Sequence, residues 1–204
     1  MKLQTPIFII LLSLMYSLKS AQAQTIDGFH EHDGFYLSLA TGFGEGNFQE
    51  TNFPGKLEMW GGASNIDVKV GGTALKDHLI VSGDLIGSRM IWPRTRIDSV
   101  DFGRAHGDLK EGLIGLGVTY YFMPVNVFLS GTLGVGGFTY TANNTDYNSD
   151  RGLGFQLKFG KEWWISKDWG IGASMFYLNQ HVNESNDRVL NGGFAGFMFN
   201  TTFN

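Results

Sequence analysis

The sequence predicts an all-β fold, an eight-stranded antiparallel up-and-down transmembrane β-barrel, on three observations. Eight segments alternate apolar and polar residues with period two, the connections between them alternate between short and long, and an export signal precedes them. In the first segment, about Gly34 to Gly44, Phe35, Leu37, Leu39, Thr41 and Phe43 oppose Tyr36, Ser38, Ala40 and Gly42. The second, about Gly62 to Ala74, sets Ile66, Val68 and Val70 against Asp67, Lys69 and Gly71. The third, Leu79 to Met90, turns Leu79, Val81 and Leu85 one way and Ser82, Asp84 and Ser88 the other, with Ile80 and Ile86 on the polar side. In the fourth, Leu109 to Phe122, Ile114, Leu116, Val118, Tyr120 and Phe122 oppose Glu111, Gly115, Gly117 and Thr119. The fifth, Val127 to Tyr140, sets Val127, Leu129, Leu133 and Val135 against Ser130, Thr132, Gly134 and Gly136. In the sixth, Arg151 to Ile165, Leu153, Phe155, Leu157, Phe159 and Trp163 oppose Gln156, Lys158, Gly160 and Glu162. The seventh, Ile171 to Gln180, leaves its facing open, because both of its faces carry large apolar residues. The eighth, Leu190 to Phe203, places Phe197, Phe199 and Phe203 on one face.

The turns at 76–78, 123–126 and 166–170 are short, whereas 45–61, 91–108, 141–150 and 181–189 read as longer polar loops. A meander with one short-turn end and one long-loop end follows, and an even strand count lets the last strand pair with the first and remove exposed edges. Ahead of the strands, Lys2, an apolar stretch from Ile7 to Leu18 and Ala21-Gln22-Ala23 read as a signal peptide over 1–23, cleaved after Ala23. The apolar stretch is shorter than the roughly 18 to 20 residues of a membrane-spanning helix. Residues 24–33 form a short segment before the barrel, which occupies 34–204. Loss of Lys2 and Lys19 leaves 13 of the 15 basic residues against 19 acidic ones, a net charge of −6, which argues against nucleic acid as a partner. The chain has no cysteine, so no disulfide scaffold is available, and its 17 phenylalanines argue against disorder despite 29 glycines.

On this pattern, and on the terminal aromatic strand, residues 34 to 203 resemble the small outer-membrane β-barrel proteins of Gram-negative bacteria. The resemblance implies short turns towards the periplasm, long loops outside, and an aromatic end read by the outer-membrane insertion machinery, here Phe197, Phe199 and Phe203. Asn204 follows Phe203, a departure from the family's terminal aromatic.

The candidate functional residues follow from parity. Asp67, Lys69, Asp84, Glu111, Lys158 and Glu162 fall opposite the apolar residues, and a cation on the lipid face at the midplane would cost about 2 to 4 kcal/mol, so they belong inside. Eight strands leave an interior about wide enough for side chains, so an ion-paired plug is expected, with a small-solute pore as the alternative. Arg89, Arg94, Arg96, Arg104, Lys110 and Arg151 gather at the long-loop end, where arginine's planar fork suits lipopolysaccharide phosphates; ordinary loop solvation is the bland alternative. Trp60, Trp92, Tyr140 and Tyr177 read as an outer aromatic girdle and Tyr121, Phe122, Trp163, Trp164 and Trp169 as an inner one. His30, His32 and His78 share the short-turn end with Glu31, Asp33 and Asp77, but solvated polar residues explain them better than a zinc site. No Ser/His/acid set falls together on one face, so no catalytic residue, metal or cofactor is expected, against the alternative of a lipid-modifying enzyme. The expected role is structural or surface-interacting, in contact with membrane lipid and lipopolysaccharide and with a surface ligand whose identity is open. A soluble exported barrel around an apolar ligand would reverse every parity above.

Overall fold

The computed structural model describes residues 31–53, 55–185 and 187–204; the signal peptide and His30 lie outside them. Eleven strands are formed: β1 (Phe35–Phe53), β2 (Gly55–Leu75), β3 (Leu79–Ile91), β4 (Arg94–Ile97), β5 (Val100–Arg104), β6 (Gly107–Phe122), β7 (Val127–Ala142), β8 (Thr145–Asn148), β9 (Gly152–Trp164), β10 (Trp169–Asn183) and β11 (Val189–Phe203). Eight of them close a barrel in the order β1-β11-β10-β9-β7-β6-β3-β2, with β2 returning to β1, and every pairing is antiparallel. The closing seam runs from Leu37 opposite Phe203 to Thr51 opposite Val189, so no barrel edge is left unpaired along it. Beyond the barrel wall, the β4–β5 hairpin pairs with the upper part of β2, and β8 folds back on β7.

Parity holds along the wall. Ile66, Leu116, Leu133, Leu153, Phe197 and Phe199 point outward and are exposed, while Asp67, Lys69, Asp84, Lys158 and Glu162 are buried in the interior. A water-soluble barrel arranges these two classes the other way round. In β10, Ile171, Ala173, Met175 and Tyr177 face out and Phe176 and Leu178 face in, which settles the strand whose pattern left both options open.

Three expectations are corrected. The segments 45–61 and 91–108 are largely strand rather than loop: β1 and β2 continue as one hairpin to Phe53 opposite Gly55, and 94–104 forms β4 and β5. Tyr121 is fully buried inside the barrel rather than part of a girdle, since β6 can turn only Tyr120 and Phe122 outward around it. Trp164 also leaves the girdle, its ring lying 5.0 Å from that of His32.

Candidate functional site

The interior is a stack of layers, each built from the inward positions of several strands. At the short-turn end, the segment ahead of β1 tucks His32 into the barrel mouth, where it is completely buried rather than solvated. Its backbone N–H donates to Asp77 Oδ1 (3.1 Å), its ring nitrogens lie 2.9 Å from Asn126 Oδ1 and 3.0 Å from Asn204 Oδ1, and its ring stacks on Tyr121 at 3.7 Å. Above it, the Tyr121 hydroxyl donates to Glu162 Oε2 (3.2 Å), and Glu162 Oε1 accepts from Asn200 Nδ2 (2.8 Å) and Thr202 Oγ1 (2.7 Å).

The middle layer holds two ion pairs. Lys158 Nζ lies 2.9 Å from Asp67 Oδ2, and Lys69 Nζ lies 2.5 Å from Asp84 Oδ2, all four side chains being at most 3 % exposed. Asp84 also accepts from Ser82 Oγ (2.6 Å) and Thr132 Oγ1, and Lys69 donates to Thr132 Oγ1 at 3.0 Å. Gly117 is required here, because a Cβ built at that position would collide with the Asp84 carboxylate. The long-loop half of the interior is apolar: Ile86, Met90, Leu109, Leu113, Leu178 and Phe194 are buried together, and Phe48 packs edge-on against Phe138 at 5.1 Å.

Glu111 stands apart from the expected network. It is 2 % exposed, yet among the described residues neither of its carboxylate oxygens has a hydrogen-bond partner, nor does either polar atom of the buried amides of Gln156 and Gln180. The structure therefore brings together Asp67 with Lys158 and Lys69 with Asp84, places Glu162 among neutral donors, and leaves Glu111 alone. Sequence reasoning missed His32, Tyr121 and the apolar upper layer. The inward Ile86, and the apolar inner face of β10, were the available signals for the last.

At the long-loop rim, Arg89 is paired with Asp108, Arg94 with Asp101 (3.4 Å), and Arg96 with Glu58 (3.6 Å) while lying over the Trp60 ring at 5.0 Å. Lys110 donates to Thr141 Oγ1 (3.2 Å). Arg104 and Arg151 are exposed and make no ion pair among the described residues. The bond from Lys56 holds the half-buried Glu58 carboxyl below its ordinary range, with Arg96 adding to the effect. Burial raises Glu50 despite the Arg188 guanidinium 2.7 Å away. At the other end of the barrel, the hydrogen bond with Glu31 raises Lys76. Phe197 and Phe199 face outward on β11, and Phe203 ends that strand edge-on to Trp169 at 5.2 Å. The histidines hold no metal cluster among the described residues, and no helix there is long and apolar enough to cross a membrane.

Neither a protein-family model nor a curated protein sequence matches this chain. Solved structures do. The outer-membrane protease OmpT of Escherichia coli superposes with a TM-score of 0.50 at 7% identity, over 88% of this chain and 99% of that one. This chain has the outer-membrane β-barrel fold. Neisserial surface protein A aligns over 85% of this chain and 98% of its own at 14% identity and a TM-score of 0.49. Ail of Yersinia pestis, crystallised with the heparin analogue sucrose octasulfate, covers 82% of this chain and 99% of its own at 16% identity and a TM-score of 0.43. At these identities the likeness concerns the fold alone, and the specific chemistry rests on this chain's own residues.

Proposed function

We propose that the chain is an integral outer-membrane barrel with a non-enzymatic, structural or surface-interaction role, its lumen closed by its own side chains. The outward apolar face supports membrane insertion: Leu116, Leu133 and Leu153 would each expose a large apolar side chain to water, at about 25 cal/mol per Å² of apolar area. A membrane strand needs about 9 to 11 residues, whereas β1 and β2 run to 19 and 21, so roughly half of that hairpin projects beyond the bilayer as a platform for a surface partner. With the long-loop end outside, Arg104 and Arg151 are the rim cations available to lipopolysaccharide phosphates. Phe197, Phe199 and Phe203 form the strand read by the insertion machinery.

The observation that carries the closed-lumen reading is the pair of opposed ion pairs, Lys158–Asp67 and Lys69–Asp84, lying between the His32–Tyr121 layer and the apolar upper layer. The histidine environments favour a non-enzymatic role. His32 faces carboxamides, His78 Nδ1 faces the Tyr121 carbonyl, and His181 lies between Asn191 and Asn183, so none of the three is set against a serine hydroxyl. Single-barrel recordings in planar bilayers test the reading: a closed lumen gives no steady conductance, and a stable ohmic step refutes it.

A further inference from the structure

The long-loop mouth contains a cavity of about 290 Å³, close to the roughly 300 Å³ at which small-molecule sites begin. Its walls are mostly apolar, with Phe48, Leu57, Met59, Leu109 and Leu190 prominent, and Phe138 lies on its inner side. Beside Phe138, as its cross-strand neighbour, lies Glu111. A Cβ built at Gly192 would strike the Phe138 ring and stand 3.5 Å from Glu111 Oε2, so the ring and the carboxylate lie side by side over this glycine. Gly192 is in turn the cross-strand neighbour of Gln180. The glycine thus leaves room for the Phe138 ring, which lines the mouth cavity and stands beside a group of buried polar atoms.

Those polar atoms call for a partner. A buried carboxyl group with neither oxygen bonded loses its hydration without replacement, and an unbonded buried amide adds to that cost. The sign of the missing partner follows from the interior charges: Asp67, Asp84, Glu111 and Glu162 are four carboxylates against the two ammonium groups of Lys69 and Lys158. Both ammonium groups are already matched, and Glu162 is held by three neutral donors. At the rim, Glu50 and Glu184 both bind Arg188, at 2.7 and 2.5 Å, so two of the carboxylates lining the cavity share one guanidinium.

We infer that the mouth is a binding site for a small organic ammonium compound, its apolar body in the cavity and its ammonium group reaching Glu111 and Gln180 once Phe138 turns aside. This goes beyond the closed-lumen reading and is tested apart from it, because conductance reads the ion-paired layer and binding reads the mouth.

The probes are 2-phenylethylammonium and its neutral counterpart 2-phenylethanol, titrated into the ¹⁵N-labelled full chain in lipid nanodiscs, with the Gln180 side-chain amide resonance as a local reporter. The ammonium compound binds at least tenfold tighter than the alcohol and moves the Gln180 resonance. Glu111→Gln, which removes the ionisable carboxyl group at nearly constant shape, lowers ammonium affinity to that of the alcohol and leaves the alcohol unchanged. Leu57→Trp, filling the cavity, abolishes both. Affinities within twofold of each other in the unaltered protein, or a preference that survives Glu111→Gln, overturn the inference. If Glu111→Gln fails to fold, the wild-type affinity ratio and the Gln180 shift still decide it.

Discussion

Replacing Lys158 with methionine isolates the electrostatics of the interior, because methionine keeps most of the aliphatic stem while removing the ammonium group. In the native chain Lys158 Nζ donates to Asp67 Oδ2 at 2.9 Å, and Asp67 Oδ1 has no hydrogen-bond partner among the described residues. Asp67 is 1 % exposed, so Lys158→Met leaves a carboxylate without solvent and without a counterion. Breaking a buried pair from one side costs about 3 to 5 kcal/mol. In a chain of this size each kcal/mol moves the midpoint by about 2 to 4 °C, so Tm should fall by about 6 to 20 °C. The assay is thermal unfolding of the refolded protein in detergent micelles, followed by circular dichroism. Adding Asp67→Asn in the same chain removes the orphaned charge and should restore at least half of the loss, since the two residues form one unit and their effects are not additive. A Tm for Lys158→Met within about 3 °C of wild type would refute the reasoning, as would a double variant no more stable than the single one.

Phe203→Ala should reduce the folded protein in the outer membrane far more than deletion of Asn204, measured by heat-modifiable mobility on gels; equal levels would remove the insertion-signal reading. Changing Arg104 and Arg151 to Gln should lower co-purifying lipopolysaccharide, whereas changing Lys76 and Lys167 should not; equal retention by both variants would end the lipid-clamp proposal. Burial raises the Glu50 carboxyl above its ordinary 4.5, so the folded state holds that proton more tightly than the unfolded one, and this group's contribution to stability falls as pH rises upward from about 4.5. Glu50→Gln should therefore make the change in stability between pH 4 and 7 less negative; an unchanged slope would contradict the assignment.

The barrel was legible because a strand in lipid writes its facing into alternate residues. Ile66, Val68 and Val70 against Asp67 and Lys69 leave one solution, as do Leu153, Phe155 and Leu157 against Gln156 and Lys158. That code fails wherever the two faces of a strand meet the same environment. In β10 both faces are apolar, since Phe176 and Leu178 enter the apolar half of the lumen, so alternation carried no direction. In 94–104 neither face is buried, and in 45–61 only Phe48, Glu50 and Met59 among the described side chains are buried while Glu45, Asn47 and Gln49 face out, so extended hairpins there read as polar loops. His32 was illegible for another reason: its partners Asn126 and Asn204 lie 94 and 172 residues away and meet it only when the barrel closes. The six inward charges are buried, and which carboxylate finds an ammonium group is decided by reach across the lumen. Lys158 pairs with Asp67 across 91 residues, whereas Glu111 is left without a partner.

Ion conductance through single barrels in a planar bilayer tests the closed lumen most directly. The side chains stacked from His32 through the Lys158–Asp67 and Lys69–Asp84 pairs to Phe194 predict no steady current at moderate voltage in the wild-type protein. A stable, ohmic conductance whose ion selectivity shifts on Lys158→Met, with no change in thermal stability, would show instead that these residues line an open path.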